Sequence, residues 1–175
     1  MKLSALMAAA ATVLLAATGA QAADTLAKIA ESGKITLAYR ESSVPFSYLD
    51  GPNKPIGFAV EMSNAVVEAV KKKLNKPNLQ VQLMAVTSQN RIPLITNGTI
   101  DLECGSTTNN TARGKDVSFA VNHFYTGTRL LVKKSSKIKD YADLAKKTVA
   151  STTGTTNALV MRKYNIEKNL GMNIV

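Results

Sequence analysis

Between Asp101 and Arg113 the chain reads Asp-Leu-Glu-Cys-Gly-Ser-Thr-Thr-Asn-Asn-Thr-Ala-Arg. Ser106, Thr107 and Thr108 bring hydroxyls and approachable backbone N–H groups, and Arg113 brings a planar fork of donors that matches a carboxylate at two points. These residues describe a carboxylate cradle or, read more plainly, a Ser/Thr/Asn turn followed by a solvated arginine. The apolar–polar alternation ahead of Gly105 marks a short buried strand opening into a polar loop. Loops at that end of a strand are where open α/β sheets bind ligands.

Other residues converge on the same edge once the elements are laid out. Residues 25–32 read as a short helix packing by Leu26, Ile29 and Ala30 and ended by Gly33. Residues 34–39 alternate as a first strand, with Arg40 at its carboxyl end. Residues 45–49 and 56–58 flank Asp50-Gly51-Pro52 as a hairpin-like excursion. Phe58, Met62, Ala65, Val66, Ala69, Val70 and Leu74 recur at helical spacing and are expected to form the core stripe of a long helix. A second strand spans 79–86. Thr87 or Ser88 is the expected cap of a helix carrying Arg91, and Asn97-Gly98 closes it. A third strand spans 100–105. Strands alternating with helices imply a parallel, right-handed α/β sheet whose loops gather Arg40, Ser88, Arg91, Ser106, Thr108 and Arg113. Three arginines so placed repel one another unless an anion lies among them, and with hydroxyls beside them they favour a dicarboxylate.

Residues 118–133 read as largely extended, 140–147 as a short helix and 148–151 as a strand. Thr152-Thr153-Gly154-Thr155-Thr156 then enters a helix that is apolar at Ala158, Leu159 and Met161. Strand, Gly-containing hydroxyl loop and helix suit either an anion at a helix N-terminus or simple capping by a threonine. No Gly-Lys-Ser/Thr ending is present, so a nucleotide phosphate is a poor fit. Residues 171–175 look like the beginning of another strand.

The order Ser106-Thr107-Thr108 with Arg113 five positions on resembles the amino-acid-binding loop of the periplasmic solute-binding proteins of ABC transporters for polar amino acids. Arg40-Glu-Ser-Ser-Val-Pro-Phe-Ser-Tyr48, Thr87-Ser-Gln-Asn-Arg-Ile-Pro93 and Cys104-Gly-Ser-Thr-Thr-Asn-Asn110 look most like its glutamate/aspartate-binding members. The resemblance runs from about Leu26 to the last residue. Gly57-Phe-Ala-Val-Glu-Met62 departs from the family pattern at Ala59, where an acidic residue is usual.

The resemblance implies a two-lobed α/β fold: a parallel sheet flanked by helices in lobe 1 (23–122), then an extended hinge and an incomplete second α/β lobe (123–175), with the hinge near 121–124. It also implies that Arg113, Ser106 and Thr108 hold a ligand's α-carboxylate, that Arg40, Arg91 and Ser88 take its side-chain carboxylate, and that Thr152 and Thr155 close over it. The ligand would be glutamate or aspartate, the partner an ABC permease, and the protein a monomer that makes and breaks no bond. Relatives carry a longer second lobe with an acidic partner for the ligand's ammonium group. A C-terminally truncated, weakly binding or poorly folding product is therefore expected, with the unpaired ammonium costing about 1–3 kcal/mol.

Composition narrows the alternatives. The 175 residues are 45% hydrophobic, enough for a real core. Lys2, the apolar run 5–17 and Ala20-Gln21-Ala22 make residues 1–22 a cleavable signal peptide, which places the product free in the periplasm. No other run approaches the roughly 18 apolar residues of a membrane helix. The one cysteine, Cys104, leaves the leader without a lipid anchor. It is a buried small hydrophobe or half of a disulfide, and its strand favours burial.

Beyond the leader 21 basic and 12 acidic residues remain, a net charge of +9. The charge is thinly spread, and Lys71-Lys72-Lys73 falls at a helix C-terminus where cations suit the dipole. With 5% aromatics and no recognisable motif, nucleic acid is not expected. His123 is the one histidine, which argues against a metal site and, with no paired nucleophile motif, against triad hydrolysis, and no cofactor is expected. The rivals are a cyclohexadienyl-type dehydratase on the same fold and a sensory ligand-binding module. The dehydratase needs a general acid, for which only Glu41, Glu61 and Glu103 are near, each better read as structural.

Overall fold

The computed structural model describes residues 24–175. The proposed leader, 1–22, lies outside the described residues. Helix α1 (Thr25–Ser32) begins where the Asp24 carboxylate accepts from Leu26 N and Ala27 N, and it ends at Gly33 in the left-handed region, φ 67°. Strand β1 (Lys34–Tyr39) follows at once. It is the centre of a three-stranded parallel sheet, between β5 (Gln80–Ala85) and β6 (Leu102–Glu103). β1 and β5 pair from Lys34↔Gln80 to Tyr39↔Ala85, and Leu37↔Leu102 registers β6 on the other side.

One apolar cluster joins α1, β1 and helix α2 (Phe58–Leu74) through Ile29, Ile35, Leu37, Val67 and Leu79. A second cluster, Ala38, Val86 and Ile100 with Leu94 and Ile95, seats helix α3 (Arg91–Thr96). The buried Asp101 carboxylate ties these layers together, accepting from Thr36 N at 2.8 Å and pairing with Lys28 Nζ at 2.8 Å.

Three expectations for this part of the chain are corrected. On α2 the expected Val70 and Leu74 do pack against the core, but its buried residues are Ala59, Ser63 and Val67, whereas Phe58, Ala65, Val66 and Ala69 are exposed. Ser63 tolerates burial because its hydroxyl donates to Ala59 O at 3.0 Å, satisfying itself within the helix. The third strand pairs only over Leu102–Glu103, and Cys104 is half-buried. Helix α3 begins at Arg91 with Asn90 at the cap. Thr87 instead closes the preceding turn, its Oγ1 accepting from Gln89 N and Asn90 N.

The excursion after β1 is a small antiparallel sheet of β2 (Ser42–Ser43), β3 (Ser47–Leu49) and β4 (Pro55–Ile56). Fully buried Ser47 pins it to the end of β1: its Oγ accepts from Arg40 N and donates to Arg40 O, both at 2.8 Å. Residues 117–140 contain no helix or paired strand. Phe124 and His123 of this stretch stack edgewise on Phe46, with centroids at 5.0 and 6.4 Å.

A second unit follows. A 3₁₀ turn at Tyr141–Leu144, shorter than the expected helix, has a reciprocal Asp140/Asp143 cap. The N–H groups of Lys139 and Asp140 hold the Asp143 carboxyl below its ordinary pKa. Strand β7 (Thr148–Val149), helix α4 (Thr156–Glu167) and strand β8 (Asn173–Ile174) then form a parallel βαβ unit around Leu144, Met161 and Met172. Ala158 and Met161 face inward, but Leu159 is exposed because it lies on the opposite side of α4.

The edge position of β5 gives a stability test. Ile35 is 2% exposed at the centre of the sheet and Leu83 is 52% exposed at its edge. Ile35→Ala should cost about 2–5 kcal/mol in urea unfolding, and Leu83→Ala about 0.5 kcal/mol. Equal losses would contradict this assignment of the core.

Candidate functional site

The carboxyl ends of β1, β5 and β6 face the β7–α4 loop. Between them lies a cavity of about 340 Å³ lined by Arg40, Glu41, Ser42, Val86, Thr87, Ser88, Gln89, Thr152 and Thr153. Of the eight expected site residues, Arg40, Ser88 and Thr152 line it. Arg40 emerges from β1 and donates from Nη1 to the buried Ser88 Oγ at 2.8 Å.

Arg91 stands behind this wall, 2% exposed, at the start of α3. Its Nη1 lies 3.7 Å from Glu103 Oε1, an ion pair without a hydrogen bond. Arg91 Nε and Nη1 and Glu103 Oε1 are buried without a hydrogen-bonding partner. Burial pushes the Arg91 guanidinium below its ordinary pKa. Glu103 opposes that shift, while Arg113 and Arg40 add to it. Arg91 thus sits within reach of the charge of both other arginines.

Arg113 lies on the other side of the site, in a 3₁₀ turn over Arg113–Lys115. Two of its N–H donors are engaged: Nη1 with Thr108 O at 3.1 Å and Nη2 with Gly154 O at 2.9 Å. The guanidinium has five such donors, so three remain. Ser106 and Thr108 are exposed, their hydroxyls 3.1 Å from Ser43 Oγ and 3.0 Å from Thr156 Oγ1. Thr155 caps α4: its Oγ1 accepts from Ala158 N and donates to Thr152 O. Capping, one of the two readings of that loop, is what its side chain does here.

Sequence reasoning missed the network beneath these residues. Glu103 Oε2 accepts from Thr107 Oγ1 at 2.6 Å, so one carboxylate faces Arg91 and anchors the 106–108 loop. Its signal was an acidic residue at the carboxyl end of a short strand, beside two arginine-bearing loops. Thr156, next to the chosen Thr155, is the threonine that reaches across to Thr108. Cys104 adjoins the network, and burial raises its thiol pKa.

Two further observations bound the chemistry. A hollow of about 500 Å³ lined by Ser136, Lys137, Ile138, Asp143 and Lys147 holds no arginine, and its one carboxylate is spent on capping. Among the described residues no cluster of three or more His, Cys, Asp or Glu could hold a metal ion, and no helix is long and apolar enough to cross a membrane.

The ion pair yields a test of its own. Glu103→Ala leaves the Arg91 charge buried and unpaired, at a cost of about 3–5 kcal/mol in chemical denaturation. Replacing both partners, Arg91→Met with Glu103→Leu, should cost less than Glu103→Ala alone, because no charge is then stranded. A double variant less stable than Glu103→Ala would contradict the pairing.

The sequence profile of bacterial extracellular solute-binding proteins, family 3, matches residues 35–169. The glutamate/aspartate import solute-binding protein of Salmonella typhimurium is 56% identical over 158 residues, covering 90% of this chain and 52% of that protein. The L-glutamate/L-aspartate-binding protein of Pseudomonas aeruginosa is 55% identical over 152 residues, covering 86% of this chain and 50% of that protein. Among solved structures, the P235GK mutant of ArgBP from T. maritima superposes with a TM-score of 0.73 at 25% identity, over 86% of this chain and 62% of that one. The chain thus spans about half the length of the curated relatives it matches. With the profile matched over most of its residues and the parallel sheet matched in space, the chain belongs to the bacterial extracellular solute-binding proteins, family 3.

Proposed function

We propose that this chain is the substrate-binding component, or part of one, of an ABC importer, receiving glutamate or aspartate in the periplasm and presenting it to a membrane permease. The observation that carries the reading is a charge balance. Three arginines gather at this edge, the one buried carboxylate there, Glu103, pairs with Arg91, and neither Arg40 nor Arg113 has an ion-pair partner among the described residues. Two positive charges are left for a ligand with two carboxylates. The names of the S. typhimurium and P. aeruginosa relatives agree with that chemistry.

In this reading residues 23–122 form the first lobe, and 123–175 hold the hinge and part of the second. Residues 1–22 export the chain and are cleaved, leaving a monomer free in the periplasm. Arg113, Ser106 and Thr108 take the α-carboxylate, with the three free donors of Arg113 turned to it. Arg40 and Ser88, backed by Arg91, take the side-chain carboxylate, while Thr152 and Thr155 approach from the second lobe. Closure about the crossing traps the ligand, and the closed form is what the permease receives. A dehydratase needs a free carboxylic acid in the site: Glu103 is committed to Arg91 and Thr107, which leaves Glu41, on the cavity wall, as the candidate for that part.

The test is a thermal-shift titration of residues 23–175 against glutamate, aspartate, glutamine, lysine and succinate. A ligand that binds only the folded state adds about 2.7 kcal/mol at one hundred times its Kd. Glutamate or aspartate should give a saturable shift and lysine none, and Arg113→Ala should weaken binding by about 2 kcal/mol or more. An equal shift with lysine, or none with either acidic amino acid, would overturn the reading.

A further inference from the structure

At Gly154 the β7–α4 loop meets the turn after β5 backbone to backbone. A Cβ at this position would lie 2.6 Å from Gln89 Cα, 2.7 Å from Ser88 O and 2.8 Å from Gln89 N. Backbone atoms cannot swing aside as the end of a flexible side chain can. The φ of Gly154, +78°, adds a conformational demand. Gly171, in the same βαβ unit, separates the two demands: its φ is +62°, but the nearest atom to an added Cβ is Lys146 Cγ at 4.0 Å. Positive φ is thus met elsewhere without close approach, whereas Gly154 is packed on the residues that carry the cavity wall. Two contacts flank it, from Arg113 Nη2 to Gly154 O at 2.9 Å and between Thr108 Oγ1 and Thr156 Oγ1 at 3.0 Å.

We propose that Gly154 is a positioning residue: its contact with Ser88 and Gln89 sets how closely the β7–α4 loop approaches the sheet ends, and so how far the cavity closes. Its part in ligand capture rests on the proposed function, but the contact itself depends on no ligand. Any side chain at 154 would hold the loop away, weakening the Arg113 and Thr108 contacts that need the same approach.

The test uses the whole chain carrying Cys104→Ser, with dyes at Lys72→Cys on α2 and Lys163→Cys on α4, both exposed positions. Asparagine tolerates positive φ while adding a Cβ, so Gly154→Asn isolates the contact and Gly171→Asn serves as its control. Without ligand, Gly154→Asn should lower energy transfer between the dyes, and Gly171→Asn should leave it at the parent value. Unchanged transfer in a folded Gly154→Asn protein would overturn the proposal. Should that variant not fold, a short bis-maleimide joining Gln89→Cys to Thr153→Cys reports the same approach in a chain that keeps Gly154. Efficient cross-linking supports the proposal and its absence overturns it. Glutamate is added last: no change in transfer in the parent would count against the proposed function, while the ligand-free difference between the variants still decides the role of Gly154.

Discussion

The buried pair Arg91–Glu103 is the constraint around which this molecule is arranged. Taking both charges from water is costly, and at 3.7 Å without a hydrogen bond their attraction repays that cost incompletely. A hydrophobic pair would serve the core better, so the pair is best understood by what it positions. Glu103 reaches Arg91 with one oxygen and Thr107 with the other, joining the start of α3 to the loop that leaves β6. It also sets the charge of the site, since it offsets one of three arginines and leaves two.

The sheet explains why those arginines meet at all. Parallel strands deliver their carboxyl ends to one edge, so Arg40 after β1 and Arg91 and Arg113 after β5 and β6 converge despite wide separation in sequence. Ser47 fixes the backbone of Arg40 from below, and Ser88 receives its guanidinium. The βαβ unit then approaches from the other side, close enough at Gly154 that no side chain fits. Electrostatics of the sheet edge and sterics of the loop thus act on a single cavity.

Much of this was legible in the residues. The alternation after Gly33 located β1 to the residue, and the apolar recurrence from Phe58 to Leu74 revealed α2, because strand and helix periods are local properties. The inward face of α2 was legible only in part, at Val70 and Leu74: Ser63 counts as polar in any pattern, yet it is buried by bonding its own helix. Strand β6 is shorter than its alternation implies, since a ladder needs a partner and only β1 supplies one here. Arg40, Ser88, Arg91 and Arg113 were readable from residue type and from the edge they share. Glu103, Thr156 and the close approach at Gly154 were not, because each derives its role from a neighbour that only folding brings near.

The most direct measurement is a ¹⁵N spectrum of the arginine Nε–H groups during titration with glutamate. Five arginines are present, and Arg129 and Arg162 lie outside the site, so they serve as internal references. The Arg40, Arg91 and Arg113 signals should shift together and saturate at one equivalent of glutamate, while the other two stay still and lysine moves none. Signals of Arg129 or Arg162 moving in their place, or no saturable movement at any arginine, would contradict the proposed site.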